Sequence, residues 1–168
     1  MDIAQITKKY TVRKLNSEDV EVIYSLEYEN PLYFEFCPPA VSRESILEDM
    51  KALPPNKTHD DKYYVGFFDK EELVAILDLI TNYPNNKTAF IGFFMMNKEY
   101  QRKGIGSDII TDLMCFLKEN GFLYVRLGYM KGNKQSKHFW VKNGFISTGI
   151  ETDNGQGIVV VMQKQITG

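Results

Sequence analysis

The segment Gln101-Arg102-Lys103-Gly104-Ile105-Gly106-Ser107 carries the clearest chemistry in this chain. Glycines at 104 and 106 leave the backbone without Cβ atoms, so its amides can approach an anion closely. Arg102 and Lys103 add positive charge. The segment joins an apolar, strand-like run over 89–96 to a helical pattern over 107–120. A helix start of this kind turns free N–H groups and the positive end of the helix dipole outward, which favours phosphate. Successive amides of residues 102–107 can line one concave nest. Two familiar phosphate cradles do not fit. A P-loop needs G-x-x-x-x-G-K-[ST], whereas Gly104 is followed by Ile105, Gly106 and Ser107. A dinucleotide fingerprint needs a third glycine where Ile109 stands. The pattern that remains is Q-x-x-G-x-G. It suits a pyrophosphate, or it is only a glycine turn ahead of a helix; the spacing by itself leaves both open.

The elements that must position this loop follow from periodicity. Residues 10–15 alternate and read as a first strand, and 17–30 as a helix capped by Ser17, with Val20, Ile23, Tyr24 and Leu26 as its stripe. Residues 31–39, aromatic between prolines, read as an apolar loop; 42–53 read as a second helix. A hairpin is predicted over 62–68 and 73–80, turning at 69–72. Residues 89–96 and 123–130 read as strands buried on both faces. The helix over 107–120 places Ile109, Ile110, Leu113, Met114, Phe116 and Leu117 inward, ends at Gly121, and takes Cys115 into the core. A short helix over 133–143 and a closing hairpin around "DNGQ" complete the order β-α-α-β-β-β-α-β-α-β-β. This is an α+β (mixed α/β) fold with a central mixed sheet flanked by helices, in a single domain over 1–168.

Composition narrows the function classes. The 168 residues carry 20 basic and 22 acidic side chains, a net charge of −2, so nothing pulls the whole chain toward nucleic acid or a membrane. No run approaches a membrane span, and the N-terminus lacks the apolar run of a signal peptide. The two cysteines, Cys37 and Cys115, with His59 and His138, offer neither a disulfide framework nor a zinc site, so no metal is expected. The expectation is a cytoplasmic protein; a homodimer is an arrangement the sequence permits.

The stretch "IGFFMMNKEYQRKGIGS" resembles motif A of the GCN5-related N-acetyltransferase (GNAT) family, and "NKQSKHFWVKNGF" resembles its motif B. The element order agrees from the first strand to the closing hairpin. The resemblance implies the GNAT-type acyl-CoA N-acyltransferase fold and acetyl-CoA as co-substrate. It implies that Gln101, Arg102, Lys103, Gly104, Ile105, Gly106 and Ser107 hold the pyrophosphate. The backbones of Phe94 and Met96 would receive the pantetheine arm, with the Phe94 amide facing the acetyl carbonyl as an oxyanion donor. Asn133 matches a frequent coenzyme contact, Phe139 and Trp140 fall beside it, and Lys134, Lys137 and Lys142 are offered to the 3′-phosphate or simply to solvent.

The implied reaction is direct attack of a primary amine, on a small molecule or a peptide N-terminus, on the thioester. An alkylamine with pKa near about 10.4 is charged at neutral pH and must lose a proton first, while a leaving thiolate of pKa about 8.5 needs little help. The family's frequent catalytic pair is not present as such. No acid occurs over 89–96, and Phe139 and Trp140 stand where a tyrosine acid is common. Asp78, a lone acid in the apolar run 73–80, is the nearest candidate base, or else a structural acid; Tyr83 and Tyr129 are candidate proton donors or structural residues. The aromatic loop over 28–40, with Glu29 and Glu35, is a candidate wall for an amine with an apolar part. The alternatives are a non-catalytic acyl-CoA-binding regulatory module and, less compatible with the failed patterns, a nucleotide-binding domain.

Overall fold

The alternating segments form strands β1 (Thr11–Lys14), β2 (Lys62–Asp69), β3 (Glu72–Ile80), β4 (Thr88–Met96), β5 (Tyr124–Met130), β6 (Ile146–Asp153) and β7 (Ile158–Gln165). The computed structural model describes residues 1–167. One sheet runs in the order β1-β2-β3-β4-β5-β7-β6, antiparallel throughout except between β4 and β5. The helices are α1 (Val20–Tyr28), α2 (Pro31–Phe36), α3 (Arg43–Lys51), α4 (Ile105–Glu119) and α5 (Lys134–Lys142). The predicted mixed fold is therefore the observed one, with one helix more.

That helix is α2, in the segment read as a loop. Pro31 occupies its first turn, where a missing N–H costs nothing and the fixed φ suits a helix. The helix before it starts differently too. Asn16, not Ser17, caps the chain: its side chain accepts from the Glu18 amide while Asp19 accepts from the Asn16 amide, and one 3₁₀ turn precedes α1.

The sheet separates two apolar cores. On one face, Ile109, Ile110, Leu113 and Leu117 of α4 bury against Val65, Phe67, Leu77 and Val125. Each such aliphatic side chain contributes about 1.5–3 kcal/mol on burial. Cys115 does not join them. It projects from the outer side of α4 and is exposed, because it falls outside the stripe that its neighbours form. On the other face, Ile23 and Leu26 of α1 and Ile46 of α3 cover Tyr64, Phe68, Leu73 and Ile76. The strands buried on both faces are β2 and β3 rather than β4 or β5. In β4, Gly92 is exposed and Phe93, Phe94 and Met96 are half-buried; in β5, Arg126 turns out of the core to Gln163 of β7.

Candidate functional site

The opening in β4 has a local cause. β4 pairs with β5 only from Thr88↔Tyr124 to Ile91↔Leu127. At the next residue the register with β3 slips: Leu79 faces Ile91, whereas Asp78 faces Phe93. Gly92 is thus the extra residue of a β-bulge, which bends β4 as it leaves β5. A Cβ on Gly92 would lie 3.1 Å from Asp78 Oδ2, so the bulge takes glycine. Beyond it, the Asn97 N–H donates to the Val74 carbonyl of β3 at 2.8 Å. Backbone groups alternate between the two edges of a strand, so Phe94 and Met96 turn theirs to the edge that β5 has vacated.

The Met96 carbonyl is already engaged. It accepts from Asn30 Nδ2 at 3.1 Å and from Gln101 Nε2 at 3.0 Å, and Gln101 Nε2 also donates to Asn30 Oδ1 at 2.7 Å. Gln101 therefore ties the glycine loop to the end of α1 and to β4, and its side-chain nitrogen is spent on that link. At Met96 only the amide is left for a ligand.

The loop then folds as a nest. Arg102 at φ 62° and Gly104 at φ 77° are both left-handed, a conformation glycine adopts freely and arginine at a cost of about 1–2 kcal/mol. Gly104 caps α4 with no side-chain bond, and the first intrahelical bond runs from the Asp108 N–H to the Gly104 carbonyl at 3.0 Å. Among the described residues, nothing accepts from the amides of residues 102–107. Gly106 is needed for contact: a Cβ there would lie 3.2 Å from Phe139 and 3.4 Å from Met96. Asn143 Nδ2 donates to Ser107 Oγ at 3.2 Å and fastens α5 to the same turn.

These parts line a cleft of about 570 Å³. Its walls are the free end of β4, the loop from Gln101 to Ser107, one side of α5, and the α1–α2 corner with Asn30 and Tyr33. Lys103 and Ile105, expected at the site, do not border the cleft, and Ile105 packs against the core under α4. Asn133, 5 % exposed, caps α5 by accepting from the Ser136 amide and borders the cleft. Phe139 stacks on Phe94 at 5.9 Å, and Trp140, 8 % exposed, anchors Phe139 to the core at 4.8 Å. Of the three lysines offered to a phosphate, Lys142 borders the cleft, as do Arg102 and His138.

Asp78 and Tyr83 are not brought to the cleft. Lys62, its side chain 3 % exposed, donates to Asp78 Oδ2 at 3.0 Å and to the Ala52 carbonyl at 2.7 Å. Burial raises the Asp78 carboxyl and Lys62 partly offsets it. Tyr83 packs edge-on against Phe90, near the closed end of β4, at 5.4 Å.

One group went unread in the sequence. Glu27 is 2 % exposed, and burial, with the charge of Asp49 adding to it, pushes its carboxyl up to about 8. Its signal was positional: Val20, Ile23 and Tyr24 define a stripe whose next member is residue 27.

The family model described as "Acetyltransferase (GNAT) family" matches residues 20–145. No curated protein matches the chain by sequence. Among solved structures, an acetyltransferase from Thermus thermophilus superposes with a TM-score of 0.74 at 16 % identity, over 94 % of this chain and 97 % of that one. The PaiA N-acetyltransferase of Thermoplasma acidophilum, in complex with coenzyme A, gives 0.66 at 21 % identity over 92 % and 97 %. The ribosomal-protein-S18-alanine N-acetyltransferase of Escherichia coli gives 0.64 at 15 % identity over 94 % of both chains. At these identities the likeness is one of fold.

Proposed function

The chain belongs to the acetyltransferase (GNAT) family, and from that premise we propose that it moves an acetyl group from acetyl-CoA to a primary amine by direct attack. The observation that carries the reading is the row of unpartnered amides over residues 102–107, opening beside the free edge of β4. A nest at a helix N-terminus, with Arg102 beside it, suits a pyrophosphate. A strand edge with Phe94 and Met96 amides unused suits an extended arm that carries amide groups of its own.

Acetyl-CoA supplies the activated acyl group as a thioester. In this reading the amides of residues 102–107 bind its pyrophosphate, and the Met96 amide orients the pantetheine arm. The Phe94 amide meets the thioester carbonyl, where a preorganised donor stabilises the charge that develops on oxygen. Phe139 and Trp140 wall the arm and exclude water; neither gives up a proton. Asp78, held by Lys62, is assigned to the fold rather than to proton transfer, and so is Tyr83.

Thiol release is the test. Purified protein with acetyl-CoA and a series of primary amines is expected to free coenzyme A with at least one of them, and the product to carry an N-acetyl group. Coenzyme A binding with no amine acetylated, across small amines and peptide N-termini alike, would replace this reading with that of a binding module.

A further inference from the structure

A thioester seated as proposed above points its acyl group into the fork where β4 leaves β5. With the pyrophosphate at residues 102–107, the arm at Met96 and the thioester carbonyl at Phe94, the coenzyme runs along β4 toward Gly92. The residue beyond, Ile91, is the last of β4 to pair with β5, opposite Leu127. The fork therefore closes ahead of the acyl chain, and the side chains that flank it decide how long that chain can be.

Successive side chains of a strand point to opposite faces, and here Phe94 and Met96 turn to the face that α4 covers, Phe93 and Met95 to the face under α1. On the α4 face the fork has an aromatic floor. Trp140 is buried yet borders the cleft. Its ring meets three others edge-on, with centroids 6.1 Å from Phe94, 4.8 Å from Phe139 and 5.3 Å from Phe145. Phe145 is 1 % exposed, and it and Trp140 belong to the core that α4 packs. The Phe145 N–H donates to the Trp140 carbonyl at 3.0 Å, which holds the backbone as well. An indole fixed on three sides by rings in a close-packed core does not swing aside for a ligand. Tyr33 is the ring on the other side, where it packs against Phe93 at 5.2 Å. Phe94, whose amide is assigned to the thioester, has its ring against Trp140 instead.

We infer that Trp140 sets the length of the acyl group: its indole closes the core side of the fork, so the site takes acetyl and rejects chains of medium length. The inference rests on the acetyltransferase reading and specifies the donor within it. An indole N–H is a hydrogen-bond donor and not an acid in neutral water, so what this position contributes is bulk. Methylene groups forced against a filled, rigid wall cost affinity, about tenfold or more for a misfit group. A smaller side chain at position 140 removes the wall and leaves an apolar space that a longer acyl chain can fill.

The test needs no acceptor amine. The whole chain is titrated calorimetrically with acetyl-CoA, butyryl-CoA and hexanoyl-CoA. The wild type is expected to bind hexanoyl-CoA at least about tenfold more weakly than acetyl-CoA. Trp140→Leu is expected to erase that difference. Trp140→Phe keeps a ring against Phe145, covers the case in which the leucine variant does not fold, and is expected to raise butyryl-CoA relative to acetyl-CoA. Tyr33→Leu, on the opposite wall, is expected to keep the wild-type order. Equal affinity of the wild type for acetyl-CoA and hexanoyl-CoA overturns the inference. So does an unchanged order in the folded Trp140 variants, or an order that Tyr33→Leu alone abolishes. Failure of the acetyltransferase reading looks different: none of the three thioesters binds the wild type, whatever its chain length.

Discussion

Replacing Glu27 by glutamine should stabilise the protein, and by an amount that depends on pH. In the unfolded chain this carboxyl titrates near 4.5; in the fold, where 2 % of the residue is exposed, it titrates at about 8. Between those values the native state keeps a proton that the unfolded chain has released. Stability from this group is therefore fully present below about pH 4.5 and is lost as pH rises through about 8. At about 1.4 kcal/mol per pH unit, the loss reaches about 3–5 kcal/mol once both states are ionised. Glutamine has the same shape and no charge to bury. The assay is urea denaturation of both proteins at pH 5, 7 and 8.5. Little difference is expected at pH 5, and at pH 8.5 the variant should be the more stable by several kcal/mol. A difference that does not vary with pH would mean that Glu27 is hydrated or paired in solution, and the argument from its burial would fail.

Three further substitutions separate binding from folding. Gly104→Glu puts a Cβ on a residue at φ 77° and a carboxylate at the start of α4, so acetyl-CoA binding by calorimetry should disappear while the protein stays folded. Gln101→Ala removes the two bonds from Gln101 Nε2, to Asn30 Oδ1 and to the Met96 carbonyl, and so unties the glycine loop from both; a stability loss of about 1–3 kcal/mol and weaker acetyl-CoA binding are expected, measured by denaturation and titration. Asp78→Asn leaves Lys62 buried beside a neutral amide, which should cost about 3–5 kcal/mol in thermal or urea unfolding and leave acetyl-CoA affinity unchanged.

Local pattern carried most of the fold into view, and long-range pairing hid the rest. The hairpin β2–β3, the amphipathic α4 and the nest at residues 102–107 each depend on neighbours in sequence, and each was legible there. Helix α2 was missed because prolines and aromatics suggest a loop, although a proline in a helix's first turn is compatible with one. The opening of β4 at Phe94 and Met96 is implied by the family resemblance and not by the apolar run itself, which says nothing of where its partner strand ends. The isolated Gly92 was the one local sign of the bulge. The role of Asp78 turned on Lys62, sixteen residues away across a hairpin register. Glu27 could have been found: it stands on its helix's apolar stripe, and a carboxylate there is either paired or functional.

The central claim is that the amides of residues 102–107 and the free edge of β4 form a coenzyme A site. Calorimetric titration of the purified protein with acetyl-CoA, and separately with ATP and NAD, tests it most directly. The account predicts saturable binding of acetyl-CoA and little or no binding of ATP or NAD. Equal affinity for ATP, or no binding of acetyl-CoA at all, would contradict it.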